Sequence, residues 1–207
     1  MFKRMSILLR RQEDDRPAFA RKWENHGSLV KRLPYIRGYM QNHIVEDFSR
    51  DQPIEADGIV ELLFEKSEDM TSAFSSPEAL PVRADEPGFL GHGTGYVLSK
   101  PSPLVPATAG NKLFVITKAP DVSLLERILT VTAKEFAVSR SFRDDVLSVI
   151  SRPEMARGPQ SVVSFLHIYF RDAASASAAG ALISGSMLDG SETRIGSVFR
   201  VRTLTVV

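Results

Sequence analysis

Two histidines and one glutamate have the side chains and positions that general acid–base chemistry requires. Imidazole titrates near neutral pH, so His26 can take up a proton and return it within one reaction cycle. Glu61 lies inside the apolar segment 59–64, where burial raises the pKa of an unpaired carboxylate. His167 has the matching position in the second half of the chain. We expect His26 and Glu61 to be catalytic, and we weigh a Glu61–His167 proton-transfer pair as a second arrangement.

A structural role is the alternative for each of these three residues. His26 can bind a backbone carbonyl at the end of its helix. Glu61 can form a salt bridge with Arg4 or Arg37. His167 and Glu61 can also be two unrelated polar residues, each satisfied within its own sheet. The sequence leaves the two interpretations open at all three positions.

Further polar residues are candidates for holding a substrate. The segment 36–45 is typical of a strand, so Tyr39 and His43 project to one face and Asn42 to the other. Tyrosine and asparagine can both orient a carbonyl group by hydrogen bonding. Asp85 lies in a turn, where carboxylates usually cap the backbone. The predicted substrate-binding residues are Trp23, Tyr39, Asn42, His43, Asp85 and His167.

Composition and spacing exclude several common kinds of site. The chain has no cysteine, which removes disulfides, thiolate nucleophiles and cysteine-based metal or iron–sulfur sites. The histidines lack the His-x-His and His-Glu-x-x-His spacings, and no dinucleotide-binding fingerprint is present. The segment 91–95, Gly-His-Gly-Thr-Gly, lacks the lysine of a phosphate loop and precedes a strand. We interpret it as a flexible turn, and we expect neither a metal nor a bound cofactor.

The order of apolar segments and turn residues predicts two similar halves. Strands are predicted at 2–10, 36–45, 59–64 and 93–100 in the first half, and at 112–118, 138–150, 162–170 and 194–206 in the second. Helices are predicted at 16–33 and 68–74, and at 123–135 and 172–182. Each half is therefore a βαββαβ, ferredoxin-like unit. The proline-rich segment 101–110 links residues 1–100 to residues 111–207.

A four-stranded sheet with helices on one face must cover its other face. The predicted fold class is therefore α+β, with two tandem ferredoxin-like units packed sheet to sheet around an interior. Alternation along the third strand places Val60 and Leu62 against the helices and Glu61 in this interior. The same register in the second half places Ile168 against the helices and His167 inside.

The first half carries a series of motifs that resembles the EthD-domain family of dimeric α/β-barrel proteins. In chain order the motifs are Lys3-Arg4-Met5-Ser6, Trp23-x-x-His26-Gly27-x-Leu29, Leu33-Pro34, Tyr39-Met40-Gln41-Asn42-His43, Asp57-Gly58-Ile59-x-Glu61-Leu62 and Asp85-Glu86. Ser28 stands where the family usually has proline, and the second half carries none of the motifs. The resemblance implies two ferredoxin-like units fused in one chain. It also implies an activity on small organic compounds, such as cofactor-independent oxygenation, isomerisation, cyclisation or decarboxylation.

Composition also bears on partners and compartment. The 207 residues include 26 basic and 25 acidic side chains, so no strong field attracts nucleic acid. No segment approaches the roughly 18 consecutive apolar residues of a membrane span, and the N-terminus does not fit a signal peptide. We expect a cytoplasmic protein with a small apolar organic ligand and no membrane partner. Whether the chain forms a homodimer stays open.

Two rival functions remain beside the enzyme hypothesis. A non-catalytic binding protein needs the same cavity but no acid–base groups with shifted pKa values. A haem-handling protein is the other rival, because related barrels bind haem. It requires an inward histidine, such as His167, that is free to ligate iron.

Overall fold

The computed structural model describes residues 1–50, 53–150, 159–186 and 195–207. In chain order, their strands and helices are β1 (Phe2–Arg10), α1 (Arg16–Val30), β2 (Gly38–Asp47), β3 (Gly58–Phe64), α2 (Ser67–Ser75), α3 (Ala79–Asp85), β4 (Leu90–Leu98), β5 (Asn111–Thr117), α4 (Val122–Glu135), β6 (Val138–Ile150), β7 (Ser164–Phe170), α5 (Ala173–Ser186) and β8 (Ile195–Thr205). None of the helices within these ranges is long and apolar enough to cross a membrane.

The strands of the described residues form one closed barrel in the order β1-β3-β2-β8-β5-β7-β6-β4, with antiparallel pairing throughout. Each half supplies four neighbouring strands. The halves join edge to edge at two seams, where β2 pairs with β8 and β4 pairs with β6. The predicted mixture of helices and antiparallel strands is confirmed. The prediction of two separate sheets packed face to face differs from the structure, because the edge strands of the two halves pair and give one continuous barrel wall.

Alternation along the strands gives the barrel wall an inner and an outer face. Met5, Phe114 and Phe165 belong to the core inside the barrel. On the outer face of the first half, α1, α2 and α3 contribute to a second core that includes Trp23 and Leu62. On the outer face of the second half, α4 and α5 contribute to a third core. The predicted orientations of the strands β3 and β7 are confirmed.

Helix α1 begins where the sequence predicts. Asp15 accepts a hydrogen bond from the backbone N of Ala18, and Pro17 lies in the first turn, where a missing N–H costs little. Gly27 does not interrupt the helix. A Cβ at this position would lie 3.3 Å from Gln41 Nε2, so the glycine lets α1 pack closely on β2.

Two parts of the first half differ from the prediction. The helix α3 (Ala79–Asp85) forms where the sequence predicts no helix, and Pro81 is tolerated there because it lies in the first turn. The segment 91–95 is part of β4 and not a flexible turn, because it pairs with β1. Its glycines leave room on the outer face: a Cβ at Gly95 would lie 2.9 Å from Arg4 Nη2.

The two halves use the same strand register. In the first half, Lys3 lies on β1 two residues before the residue opposite Glu61. In the second half, Lys112 lies on β5 two residues before the residue opposite His167. The register thus places the two lysines at equivalent positions, and likewise Glu61 and His167.

Candidate functional site

A small cavity lies on the outer face of the first-half strands, where α1, α2 and α3 cover it. Its volume is about 60 Å³, enough for a few water molecules or part of a small ligand. Apolar side chains make most of the wall, among them Leu8, Val30, Leu62 and Phe89. The polar or charged residues of the lining are Arg4, Ser6, His26, Tyr39, Glu86 and Thr94. We call this cavity the outer pocket.

His26 is oriented at the wall of the outer pocket by Asp85. His26 lies in the last part of α1, and Asp85 is the last residue of α3. His26 Nδ1 lies 2.9 Å from Asp85 Oδ2, and the imidazole ring contacts Phe89 with ring centres 4.9 Å apart. The carboxylate accepts the Nδ1 hydrogen, so Nε2 is the basic nitrogen of the neutral ring. This is the arrangement of a general base held by a carboxylate.

A chain of hydrogen bonds connects the other polar residues on this face. Trp23 Nε1 donates to Tyr39 Oη at 3.0 Å, and Gln41 Nε2 donates to the same oxygen at 2.9 Å. Gln41 Nε2 also donates to the Trp23 carbonyl at 2.6 Å. His43 Nε2 lies 3.2 Å from Gln41 Oε1, and its ring contacts Trp23 at 4.4 Å. Helix α1 and strand β2 together therefore fix the position of Tyr39.

Glu61 lies on the opposite face of β3, inside the barrel. Its Oε1 accepts hydrogen bonds from Lys112 Nζ and, at 3.0 Å, from Asn42 Nδ2. Its Oε2 lies 2.8 Å from Lys3 Nζ, which also donates to Asp144 Oδ2 at 2.8 Å. The structural alternative for Glu61 is therefore the one that forms. Its partners are lysines from both halves, not the expected arginines.

His167 lies beside the same charges, as the strand alternation predicts. Its Nε2 is 3.0 Å from Asp144 Oδ2 and its Nδ1 is 4.0 Å from Glu61 Oε2. We call the buried charged residues inside the barrel the inner cluster, with members Lys3, Glu61, Lys112, Asp144 and His167. Two lysines and two carboxylates balance, so a neutral His167 leaves the inner cluster with no net charge.

The pKa shifts of the inner cluster follow from this balance. Burial opposes the ionisation of Glu61, but Lys112 and Lys3 outweigh it and hold its pKa well below the usual range. The expectation of a raised pKa at Glu61 is therefore wrong. Burial, with the nearby Lys112 and Lys3, lowers the pKa of His167 to about 4. Near pH 7 the lowered pKa values favour an ionised Glu61 and a neutral His167, which does not suit them to exchange a proton.

The structure therefore separates the predicted site residues into two groups. His26, Trp23 and Tyr39 line the outer pocket, and Asp85 holds His26 there. His43 lies on the same face behind Trp23. The remaining three, Asn42, Glu61 and His167, face the inside of the barrel. His26 and Glu61, which were both expected to be catalytic, do not share a site. Neighbouring residues of β3 alternate between the faces, and Val60 and Leu62 are the ones in the outer pocket.

Sequence reasoning missed four residues that the structure places in these two groups. Gln41 shares the strand face of Tyr39 and His43, a signal that alternation along β2 already contains. Lys3 and Lys112 are charged residues in apolar strands, and their matching positions were detectable by aligning the two halves. Asp144 gave no comparable signal, because its strand β6 is mostly polar.

Haem ligation by His167 is not supported by its surroundings. Both ring nitrogens face carboxylates of the inner cluster, and the ring contacts Phe114 with centres 4.7 Å apart. An iron ligand would have to leave these contacts. Among the described residues, no group of three or more His, Asp or Glu side chains is arranged to hold a metal ion.

Comparison with protein families confirms the resemblance indicated by the motifs. Residues 11–93 match the family model of the EthD domain. The matched segment runs from the end of β1 into β4 and includes His26, Tyr39, Gln41 and Asp85. No curated protein matches the chain significantly.

Solved structures similar to this chain share its mixed α/β barrel fold. An anthrone oxidase-like protein is 9% identical with a TM-score of 0.54, covering 99% of this chain and 93% of that one. A protein from Fusobacterium nucleatum subsp. nucleatum, described as a monooxygenase, is 8% identical with a TM-score of 0.55, covering 100% and 92%. A protein described as a chlorite dismutase is 12% identical with a TM-score of 0.50, covering 100% and 96%. At these identities the similarity concerns the fold alone.

Proposed function

We propose that this chain, whose residues 11–93 match the EthD domain, is a cofactor-independent enzyme that moves protons on a small organic compound in the outer pocket. The observation that carries the proposal is the 2.9 Å contact between His26 Nδ1 and Asp85 Oδ2 at the wall of that pocket. The names of the structural relatives, which include monooxygenase and anthrone oxidase-like protein, are consistent with an enzyme of this kind.

The roles of the residues follow from their positions. His26 is the general base, and Asp85 selects its tautomer and stabilises the imidazolium that forms. Asp85 is 46% exposed, so a proton taken from the ligand has a route to solvent. The mainly apolar wall binds an apolar body, and the small volume limits its size. Isomerisation, cyclisation, decarboxylation and oxygenation of an enolate all require a proton to be removed or delivered at such a group.

The architecture supports a related proposal about domains. We infer that residues 1–100 and 111–207 are two ferredoxin-like units in tandem, joined by the segment 101–110. The matching strand registers and the two reciprocal seams support this inference. The EthD match and the outer pocket both belong to the first unit.

Two measurements on the full chain test the enzymatic role. Trp23 is the only tryptophan of the chain and lines the outer pocket, so its fluorescence reports ligand binding there. Acetophenone, phenylacetone and 2-tetralone serve as probes, and NMR in deuterated water follows exchange of the hydrogens next to their carbonyl groups. We expect exchange that His26→Gln slows on the order of 10²-fold or more. Asp85→Asn should reduce it as well.

The control for the charge change is Asp172→Asn, an exposed residue at the start of α5 that should leave exchange unchanged. A fluorescence response to the probes without exchange would support the non-catalytic binding protein instead. Exchange that survives His26→Gln at full rate would refute the proposed function.

A further inference from the structure

Tyr39 is held at the outer pocket by two groups that can only donate. The indole N–H of Trp23 and an amide N–H of Gln41 both point at its Oη, at 3.0 Å and 2.9 Å. A phenol oxygen has two lone pairs and one hydrogen. Since neither neighbour can accept that hydrogen, it points away from both of them. Tyr39 lines the outer pocket, so a ligand in the pocket is the natural acceptor.

The orientation of the Gln41 amide follows from its other neighbours. The backbone carbonyl of Trp23 only accepts, so the amide atom 2.6 Å from it must be Nε2. Gln41 Oε1 then faces His43 Nε2, which must carry the hydrogen of that contact. Burial lowers the pKa of His43 to about 4, so its ring stays neutral near pH 7. The bonds from His43 through Gln41 thus donate in one direction, towards Tyr39.

We propose that Tyr39 donates a hydrogen bond to an oxyanion of the ligand and that Gln41 is the positioning residue that aims this donor. The proposal rests on the proposed function and names its substrate class: small compounds whose oxygen becomes negatively charged when a proton is removed, that is, enolates or phenolates. A donor fixed in advance is effective because it need not reorganise during the reaction.

Two further observations support this assignment. Burial raises the pKa of the Tyr39 phenol, so the hydroxyl keeps its hydrogen over the whole working range. Arg4 adds a cation to the same lining, which favours an oxyanion there. The Glu86 carboxylate also lines the pocket and acts on Tyr39, so the hydrogen bond from Tyr39 must outweigh its repulsion of an oxyanion.

Two probes that differ by one methyl group test the proposal on the full chain. 4-Nitrophenol is an oxyanion at mildly alkaline pH, whereas 4-nitroanisole carries a methyl group on the same oxygen. Binding of both is followed by quenching of Trp23. We expect the wild type to prefer the phenolate by about 10-fold or more, as a charged hydrogen bond allows. Tyr39→Phe should remove this preference, while the exposed Tyr35→Phe should keep it.

Gln41→Leu separates a positioning role from a merely structural one. Loss of positioning should reduce the preference for the phenolate, with Gln12→Leu as an exposed control. If Gln41 only supports the fold, Gln41→Leu would weaken the binding of both probes equally. That result would overturn its assignment as the positioning residue. A wild type that binds the probes equally or not at all, or a Tyr39→Phe variant that keeps the preference, would overturn the donor role. If His26→Gln nevertheless loses deuterium exchange into the carbonyl probes, the proposed function would stand without the donor role of Tyr39.

Discussion

A buried carboxylate between two ammonium groups gives the interior of this barrel its charge balance. Glu61 is 1% exposed, and removing it from water is costly. Lys3 and Lys112 come from different halves and both contact it, so the Coulomb attraction exceeds that cost and keeps Glu61 ionised. Glu61 thus forms salt bridges with lysines of both halves, whereas His26 lines the outer pocket.

Replacing Glu61 tests this division. In Glu61→Gln the inner cluster keeps two buried lysines with one carboxylate, and breaking such a buried pair costs about 3–5 kcal/mol. We expect the free energy of unfolding in urea to fall by about this amount. Glu65→Gln is the control, because its pair with Arg37 is mostly exposed and should contribute less than about 1 kcal/mol. Equal stabilities of the two variants would contradict the account of the inner cluster.

The pH dependence of stability follows from His167. Its pKa is about 4 in the folded protein and 6.5 in the reference state, so below pH 6.5 the unfolded chain binds more protons. Stability should therefore fall as the pH drops from 6.5 towards 4. The lowered pKa of His43 reduces the stability over the same pH range. The lowered pKa values of Glu61 and Asp144 change the stability only below about pH 4.5, where the carboxylates of the unfolded chain begin to take up protons.

Urea unfolding at several pH values checks this prediction. The expected loss is on the order of a few kcal/mol over the window, at about 1.4 kcal/mol for each unit of pKa shift. His167→Gln should flatten the curve between pH 6.5 and 4, leaving the contribution of His43. A curve with the same slope in wild type and variant would show that His167 is not the group responsible.

At the scale of elements, close contact between α1 and the strands positions Trp23. The Trp23 ring lies over Gly58 at the start of β3, and a Cβ on Gly58 would lie 2.3 Å from ring atom Cζ3. The ring would have to move, and the hydrogen bond from Trp23 to Tyr39 would move with it. The contact between α1 and β3 therefore determines the position of the Trp23 ring at the outer pocket.

Gly58→Ala therefore has a specific expected result. Overpacking should cost about 1–3 kcal/mol in unfolding free energy and should change the fluorescence of Trp23 in the folded state. Gly88→Ala is the matched control, because a Cβ there meets no atom within 4 Å. Unchanged fluorescence and stability in Gly58→Ala would mean that the ring does not depend on this contact.

Alternation and capping made many of these elements predictable from the sequence. The inner and outer residues of strand β3 and the start of α1 at Arg16 agree with the prediction, because both signals are local. The sequence predicts strand β4 from residue 93, but its start at Leu90 was hidden because the glycines of segment 91–95 are typical of a turn. One of them, Gly95, leaves room for Arg4 of β1. The partnership of His26 with Asp85 was also hidden, since the two lie 59 residues apart.

In the whole molecule, the two halves share one barrel but differ in their motifs and cavities. The seams β2–β8 and β4–β6 close the wall, and the inner cluster joins lysines and carboxylates across the interior. Motifs of the EthD family and the outer pocket belong to the first half. The sequence pattern predicts two facing sheets, because each half must cover one face, whereas the described strands form one closed barrel. Which ionisable residues meet inside does not follow from the pattern, because it depends on pairing between distant strands.

The most direct test of the central claim compares His26 and Glu61 in one assay. Deuterium exchange into the carbonyl probes is measured for the wild type, His26→Gln and Glu61→Gln, at a temperature where all three are folded by circular dichroism. We expect His26→Gln to lose exchange and Glu61→Gln to keep it, because His26 lines the outer pocket and Glu61 faces the inside of the barrel. Exchange that is lost in Glu61→Gln and retained in His26→Gln would place the chemistry inside the barrel and contradict the account.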